Sequence, residues 1–97
     1  MSVQAPIPVD LSKYIATDLF GERPHIRGRR IPVATIAYSA RSHGWTNEEL
    51  AHQFDLNESE VLAALLYYTE YQTEIDALEA KYQNELDDAF ASFGKND

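Results

Sequence analysis

Residues 46–61 read TNEELAHQFDLNESEV and carry the same helix-start signal twice. Thr46 is followed by Glu49, and Asn57 is followed by Glu60, each at the spacing of a capping box. In a capping box the first side chain accepts a hydrogen bond from the third backbone N–H, and the glutamate reaches back. The two boxes predict two short helices joined by roughly three residues, which is the pattern of a helix-turn-helix.

The predicted helices extend to both sides of this turn. The helix over about 47–54 follows an earlier one that begins with Pro32 in its first turn, a position that proline favours. The apolar residues of that earlier helix recur on one face: Val33, Ile36, Ala37 and Ala40. Gly44 stands where a helix commonly ends in the left-handed conformation. We therefore expect residues 33–71 to form a helix-turn-helix core.

The third helix is apolar around much of its circumference. Val61, Leu65 and Tyr68 form one stripe. Leu62, Leu66 and Tyr67 widen it beyond the ~100° face of an ordinary surface helix. Such a helix is either central in its domain or shared with another chain. Because the chain has only 97 residues, we expect a homodimer.

A fourth helix is expected from Gln72 to about Phe93. Its apolar residues form a single stripe, with acidic side chains mostly beside or opposite it. We expect an interface with a partner or a second copy on the last two helices, at Leu62, Leu66, Tyr67, Tyr71, Ile75, Leu78, Tyr82, Leu86 and Phe93. The pattern leaves open whether this helix packs on its own domain, in a dimer or on a partner.

The residues before the helices predict a small β-ribbon. Residues 14–17 and 23–26 are candidate strands, and Pro24 confines the second to an edge. Gly28 permits a tight turn after it. The organisation expected is a mobile arm over 1–12, a ribbon plus helix-turn-helix domain over 13–71, and an acidic C-terminal helix over 72–97. The fold class is mainly α.

Charge is divided between the two halves of the chain. Residues 1–45 hold six basic and three acidic side chains, whereas residues 46–97 hold thirteen acidic and two basic ones. Four arginines lie close together and are candidate DNA-binding residues, because guanidinium groups suit phosphate oxygens and guanine edges: Arg23, Arg27, Arg29 and Arg30. The alternative is that they pair with acids of the second half. Glu58 and Glu60 at the start of the third helix are unfavourable in a phosphate-lined groove.

Several function classes are disfavoured. The chain has no cysteine, and its four glycines are isolated, so neither a thiol nucleophile nor a phosphate-binding loop is present. His52 lies four residues after Glu48, a spacing more typical of a surface pair than of a metal site. We expect no enzyme, no cofactor and no metal. The longest apolar run is far below the roughly 20 residues of a membrane span, and we expect a cytoplasmic protein with no membrane partner.

Residues 21–33 read GERPHIRGRRIPV and resemble the bacterial domain-of-unknown-function family 433. Blocks at 44–50 and 55–61 match later parts of the family pattern, so the resemblance covers about residues 14–71. Six residues match its core motif: Arg27, Gly28, Arg30, Ile31, Pro32 and Val33. The resemblance implies a winged-helix-like small domain, usually dimeric. Many members look like VapB-type antitoxins encoded beside a toxin resembling a PIN nuclease. The acidic helix over 72–97 departs from the short family members.

Two functions from different classes follow. The first is an antitoxin-like regulator that binds operator DNA through its basic half and a PIN-like nuclease toxin, or itself, through its helical half. The second is a protein-interaction or dimerisation module with no nucleic-acid role. Salt-sensitive binding to upstream DNA would favour the first function. A stable protein partner without DNA binding would favour the second.

Overall fold

The computed structural model describes residues 10–17 and 23–94, with side chains described as far as Ala91. A single 3₁₀ turn, Leu11–Lys13, precedes two strands, β1 (Ile15–Ala16) and β2 (His25–Ile26). Four helices follow: α1 (Val33–His43), α2 (Asn47–Phe54), α3 (Glu58–Glu70) and α4 (Gln72–Gly94). Most of the predicted arm, residues 1–9, lies outside the described residues. The mainly α fold with an N-terminal ribbon and a helix-turn-helix is confirmed.

The ribbon is antiparallel and shorter than predicted. Ile15 pairs with Ile26 and Ala16 pairs with His25, and all four residues are buried. The Ile26 N–H donates to the Ile31 carbonyl, which closes a tight turn in which Gly28 has a φ of 78°. Regular strand pairing is thus limited to two residues in each strand, whereas the sequence predicted strands of four residues.

The helix boundaries follow the local signals closely. The Thr46 hydroxyl accepts from the Glu49 N–H at 3.1 Å, and the Glu49 carboxylate accepts from the Thr46 N–H at 2.8 Å. The reciprocal bonds of Asn57 and Glu60 start α3 in the same way. Gly44 ends α1 with a φ of 66°. One detail of the prediction was wrong, because Pro32 has an extended ψ of 146° and is the N-cap of α1, one residue before its first turn.

The core lies where the ribbon, α1, α2 and α3 meet. Each of these elements contributes at least one fully buried side chain, among them Ile26, Ile36, Leu50 and Val61. Helix α3 turns Val61, its two alanines and Tyr68 inward. Two of its leucines therefore remain on the solvent side, which the sequence did not distinguish because the helix is apolar on both faces.

Helix α4 is attached to this core by its first turns. Ile75 is 1% exposed and belongs to the same apolar cluster as the α1 and α3 residues. Beyond that point most side chains of α4 face solvent. None of the helices within the described residues is both long enough and apolar enough to span a membrane.

Candidate interaction surfaces

Arg23 is bound within the chain by α4. Its Nε lies 2.7 Å from Oε2 of Glu79, and its Nη2 lies 3.0 Å from Oε1, so the ion pair is bidentate. The guanidinium carbon also lies 3.9 Å from the centre of the Tyr82 ring. Both charged side chains are more than four-fifths buried, at 13% and 18% exposure. The hydrogen bond to Glu79 raises the pKa of Arg23, while burial opposes the rise.

The other three arginines of the predicted DNA-binding set differ in their surroundings. The Arg27 guanidinium donates to the backbone carbonyls of Ser12 and Ile15, so it ties the 3₁₀ turn to the ribbon. Arg29 is 4.0 Å from Asp55, with its side chain 40% exposed. Arg30 is exposed. The alternative of internal pairing therefore describes Arg23 well, while Arg29 and Arg30 remain accessible to a ligand.

A second polar cluster, not anticipated from the sequence, joins α1, α3 and α4. The Asp76 Oδ1 accepts from the Tyr38 hydroxyl at 2.6 Å and from the Tyr68 hydroxyl at 2.9 Å. Arg41 in turn donates to the Tyr68 hydroxyl at 3.1 Å. The bond from Tyr38 holds the pKa of Asp76 below its ordinary value, and burial followed by the bond to Asp76 raises the pKa of Tyr38. The cluster fixes the inner end of α4 against α1 and α3.

The solvent face of α3 is apolar at its centre. Leu62 is 51% exposed and Leu66, one turn later, is 40% exposed. Together with Tyr14, Ser59 and Ala63 they line an open depression of about 250 Å³. Exposed leucines in neighbouring turns of one helix form a continuous patch, unlike the scattered apolar residues of an ordinary surface. Both leucines belong to the predicted interface.

The rest of the predicted interface is divided between burial and exposure. Tyr67 is partly buried, and its ring lies 4.6 Å from that of the exposed Tyr71. Ile75 is buried in the core and is not available to a partner. Leu78 and Leu86 are partly buried on α4, Tyr82 is 40% exposed, and the side chain of Phe93 lies outside the described part. Phe90 was not in the predicted set, yet it is 73% exposed, more than any other large apolar side chain in the described part of the chain.

No metal centre is formed by the part of the chain that the structure describes. Within residues 10–17 and 23–94, no group of three or more histidine, aspartate or glutamate side chains is placed to hold an ion. His52 and Glu48, the pair at i,i+4, line an open surface depression on α2 together with Glu49 and Gln53.

The chain forms a small helical domain of the helix-turn-helix type. Its distinguishing surfaces are the apolar patch at Leu62 and Leu66 and the basic turn at Arg29 and Arg30. Residues 15–68 match the model of the family described as Protein of unknown function (DUF433). This match covers more than half of the chain, which therefore belongs to that family. No curated protein and no solved structure matched the chain.

Proposed function

We propose that this protein is a small non-enzymatic regulatory protein that acts as an interaction module and self-associates through the solvent face of α3. The observation that carries the proposal is the exposure of Leu62 and Leu66 on that face. In a DNA-reading helix-turn-helix, the first residues of the second helix point at base edges. Here Glu58 and Ser59 occupy that position. This face suits apolar contact better than a phosphate-lined groove.

A second copy is the partner that fits this patch most simply. A two-fold interface needs a self-complementary surface. Antiparallel pairing of two α3 helices would place Leu62 of one copy against Leu66 of the other. The patch is small, and interfaces below about 1,200 Å² are typically weak. We therefore expect a dimer with a dissociation constant of micromolar order. Glu58 and Glu70 flank the patch, so added salt should strengthen association by screening like charges.

Sedimentation velocity over a range of about 1–300 μM tests this proposal. The native chain should shift from monomer to dimer with rising concentration, while the double variant Leu62→Ser/Leu66→Ser should stay monomeric throughout. Gln53→Ser on exposed α2 is the matched control and should behave like the native chain. Identical association of the native chain and the leucine variant would disprove a dimer through α3.

DNA binding is the second candidate function, favoured by the accessibility of Arg29 and Arg30 at the ribbon turn. It corresponds to an antitoxin-like regulator, with operator DNA at the ribbon and a PIN-like nuclease as protein partner. Arg27 is a poor test residue because its guanidinium holds backbone carbonyls of the 3₁₀ turn and β1. Arg29→Gln and Arg30→Gln remove charge without removing those hydrogen bonds.

Gel-shift titration of the chain's own upstream DNA at several salt concentrations tests this candidate. Each arginine that contacts a phosphate should contribute about 0.9 to the slope of log affinity against log salt. The variants Arg29→Gln and Arg30→Gln should make affinity fall less steeply with salt. Lys81→Gln on α4 makes the same charge change away from the ribbon and should leave the steepness unchanged. Absence of binding at low salt, or equal slopes in all variants, would exclude this function. Co-purification with the product of an adjacent gene tests the nuclease partner separately.

A further inference from the structure

The outer half of α4, residues 83–91, continues an apolar face that the inner half uses for packing. Ile75, Tyr82, Leu86 and Ala89 follow one another at spacings of seven, four and three residues, which keeps them on one side of a helix. Phe90 adjoins this line and is 73% exposed. The same side of the helix is therefore buried at Ile75, partly covered at Leu86 and exposed at Ala89 and Phe90.

The contacts of the inner half of α4, residues 72–82, show where the helix stops packing against the rest of the chain. Asp76 is held by two tyrosine hydroxyls, and Glu79 is held by Arg23. Tyr82 lies against the Arg23 guanidinium and is the last residue of α4 in such a contact within the described chain. The next side-chain bond along the helix, Gln83 to Asp87, is local to α4. Leu86 and Phe90 thus lie past the point where the chain packs on itself.

Charge decides what kind of surface can cover this face. Glu85 and Asp87 lie on opposite sides of the apolar line, Asp88 lies further round the helix, and residues 83–91 contain no basic side chain. Pairing with the same segment of a second copy would bring these carboxylates together, because charged positions beside an apolar seam face each other across paired helices. Like charges in that position destabilise the pair. A cationic surface would instead gain favourable contacts along both edges.

We propose that the outer half of α4 is a docking helix for a cationic partner protein, one with an apolar groove bordered by lysine or arginine. Leu86, Ala89 and Phe90 enter the groove, and Glu85 and Asp87 face its basic edges. This is the helix-in-groove mode of recognition, in which an amphipathic helix lays its apolar face into a partner. The surface is separate from the α3 patch, so the chain can self-associate and hold this partner at the same time.

The test uses a synthetic helical-hairpin peptide whose two helices form a leucine-lined groove flanked by lysines, labelled for fluorescence anisotropy and titrated with the full chain. Two further hairpin peptides serve as controls, one with glutamates in place of the lysines and one with the lysines kept but the groove leucines replaced by serines. The lysine-flanked peptide should bind at least tenfold more tightly than either control. Weaker discrimination, or no binding, would overturn the proposal.

Variants of the chain then locate the site. Leu86→Ser/Phe90→Ser should weaken binding of the lysine-flanked peptide by tenfold or more, and Glu85→Gln/Asp87→Asn should weaken it and reduce its salt dependence. Leu62→Ser/Leu66→Ser changes the same residue types on α3 and should leave the affinity within about twofold, even if it abolishes the dimer. Equal binding by the α4 and α3 variants would contradict the proposal. Loss of self-association in Leu86→Ser/Phe90→Ser would assign this face to a second copy instead.

Discussion

Replacing Ile75 by alanine tests whether α4 is part of the folded domain. Ile75 is 1% exposed and packs in the cluster that includes the core residues of α1 and α3. The change removes three methyl or methylene groups from the core. At about 0.8 kcal/mol of transfer free energy each, their loss costs about 2.4 kcal/mol of stability. An added cavity term brings the expected loss to about 3–4 kcal/mol. For a chain of 97 residues this corresponds to a fall in Tm of at least about 12 °C.

Thermal and urea unfolding followed by circular dichroism measures this loss. Phe90→Ala on the same helix is the matched control, because a side chain 73% exposed should change stability by no more than about 0.5 kcal/mol. A loss of less than about 1 kcal/mol for Ile75→Ala would refute the reasoning. It would mean that α4 is an appendage whose detachment leaves the remaining domain intact.

Three other predictions concern residues other than Ile75. Gly44→Ala should lose about 1–2 kcal/mol in urea unfolding because the residue has a φ of 66°, while Gly44→Asn should lose less, since asparagine tolerates this region. A double-mutant cycle of Arg23→Gln and Glu79→Gln should give a coupling of about 1–2 kcal/mol, and a coupling near zero would show that the ion pair is not formed in solution. The pKa of Asp76 in the folded state is lowered from 3.8. The ionised Asp76 therefore stabilises the folded state above pH 3.8, and this stabilisation is lost as the pH falls through the lowered pKa. The Tm difference between the native chain and Asp76→Asn should therefore narrow on acidification from about pH 6 to about pH 3, and a constant difference would argue against this role.

The elements that were predicted well have signals confined to a few neighbouring residues. Thr46 and Asn57 each meet their glutamate partner three residues later, so the starts of α2 and α3 are visible without knowledge of the fold. The left-handed end of α1 at Gly44 is local in the same sense. The ribbon was overestimated because strand length depends on pairing partners, which β-propensity alone does not include.

The surfaces were harder to predict because they depend on which residues meet across the fold. Arg23 and Glu79 are 56 positions apart, and nothing in either neighbourhood selects that partner from thirteen acids in the second half. Helix α3 is apolar on both sides, so its periodicity could not show that Ala63 and Ala64 face inward while Leu62 faces solvent. The tyrosine cluster around Asp76 had no sequence signal that we can identify.

Two contacts of α4, unlike the eight-residue Tyr68–Asp76 bond, join residues far apart in the sequence, and this separation affects the order of folding. The bonds from Tyr38 to Asp76 and from Arg23 to Glu79 span 38 and 56 residues, whereas α1, α2 and α3 are joined by short turns. Closing the longer loops takes more chain entropy, so α4 should dock after the other helices have assembled. Substitutions at Glu79 should then speed unfolding and leave the folding rate almost unchanged. A slower folding rate in Glu79→Gln would place α4 in the folding nucleus instead.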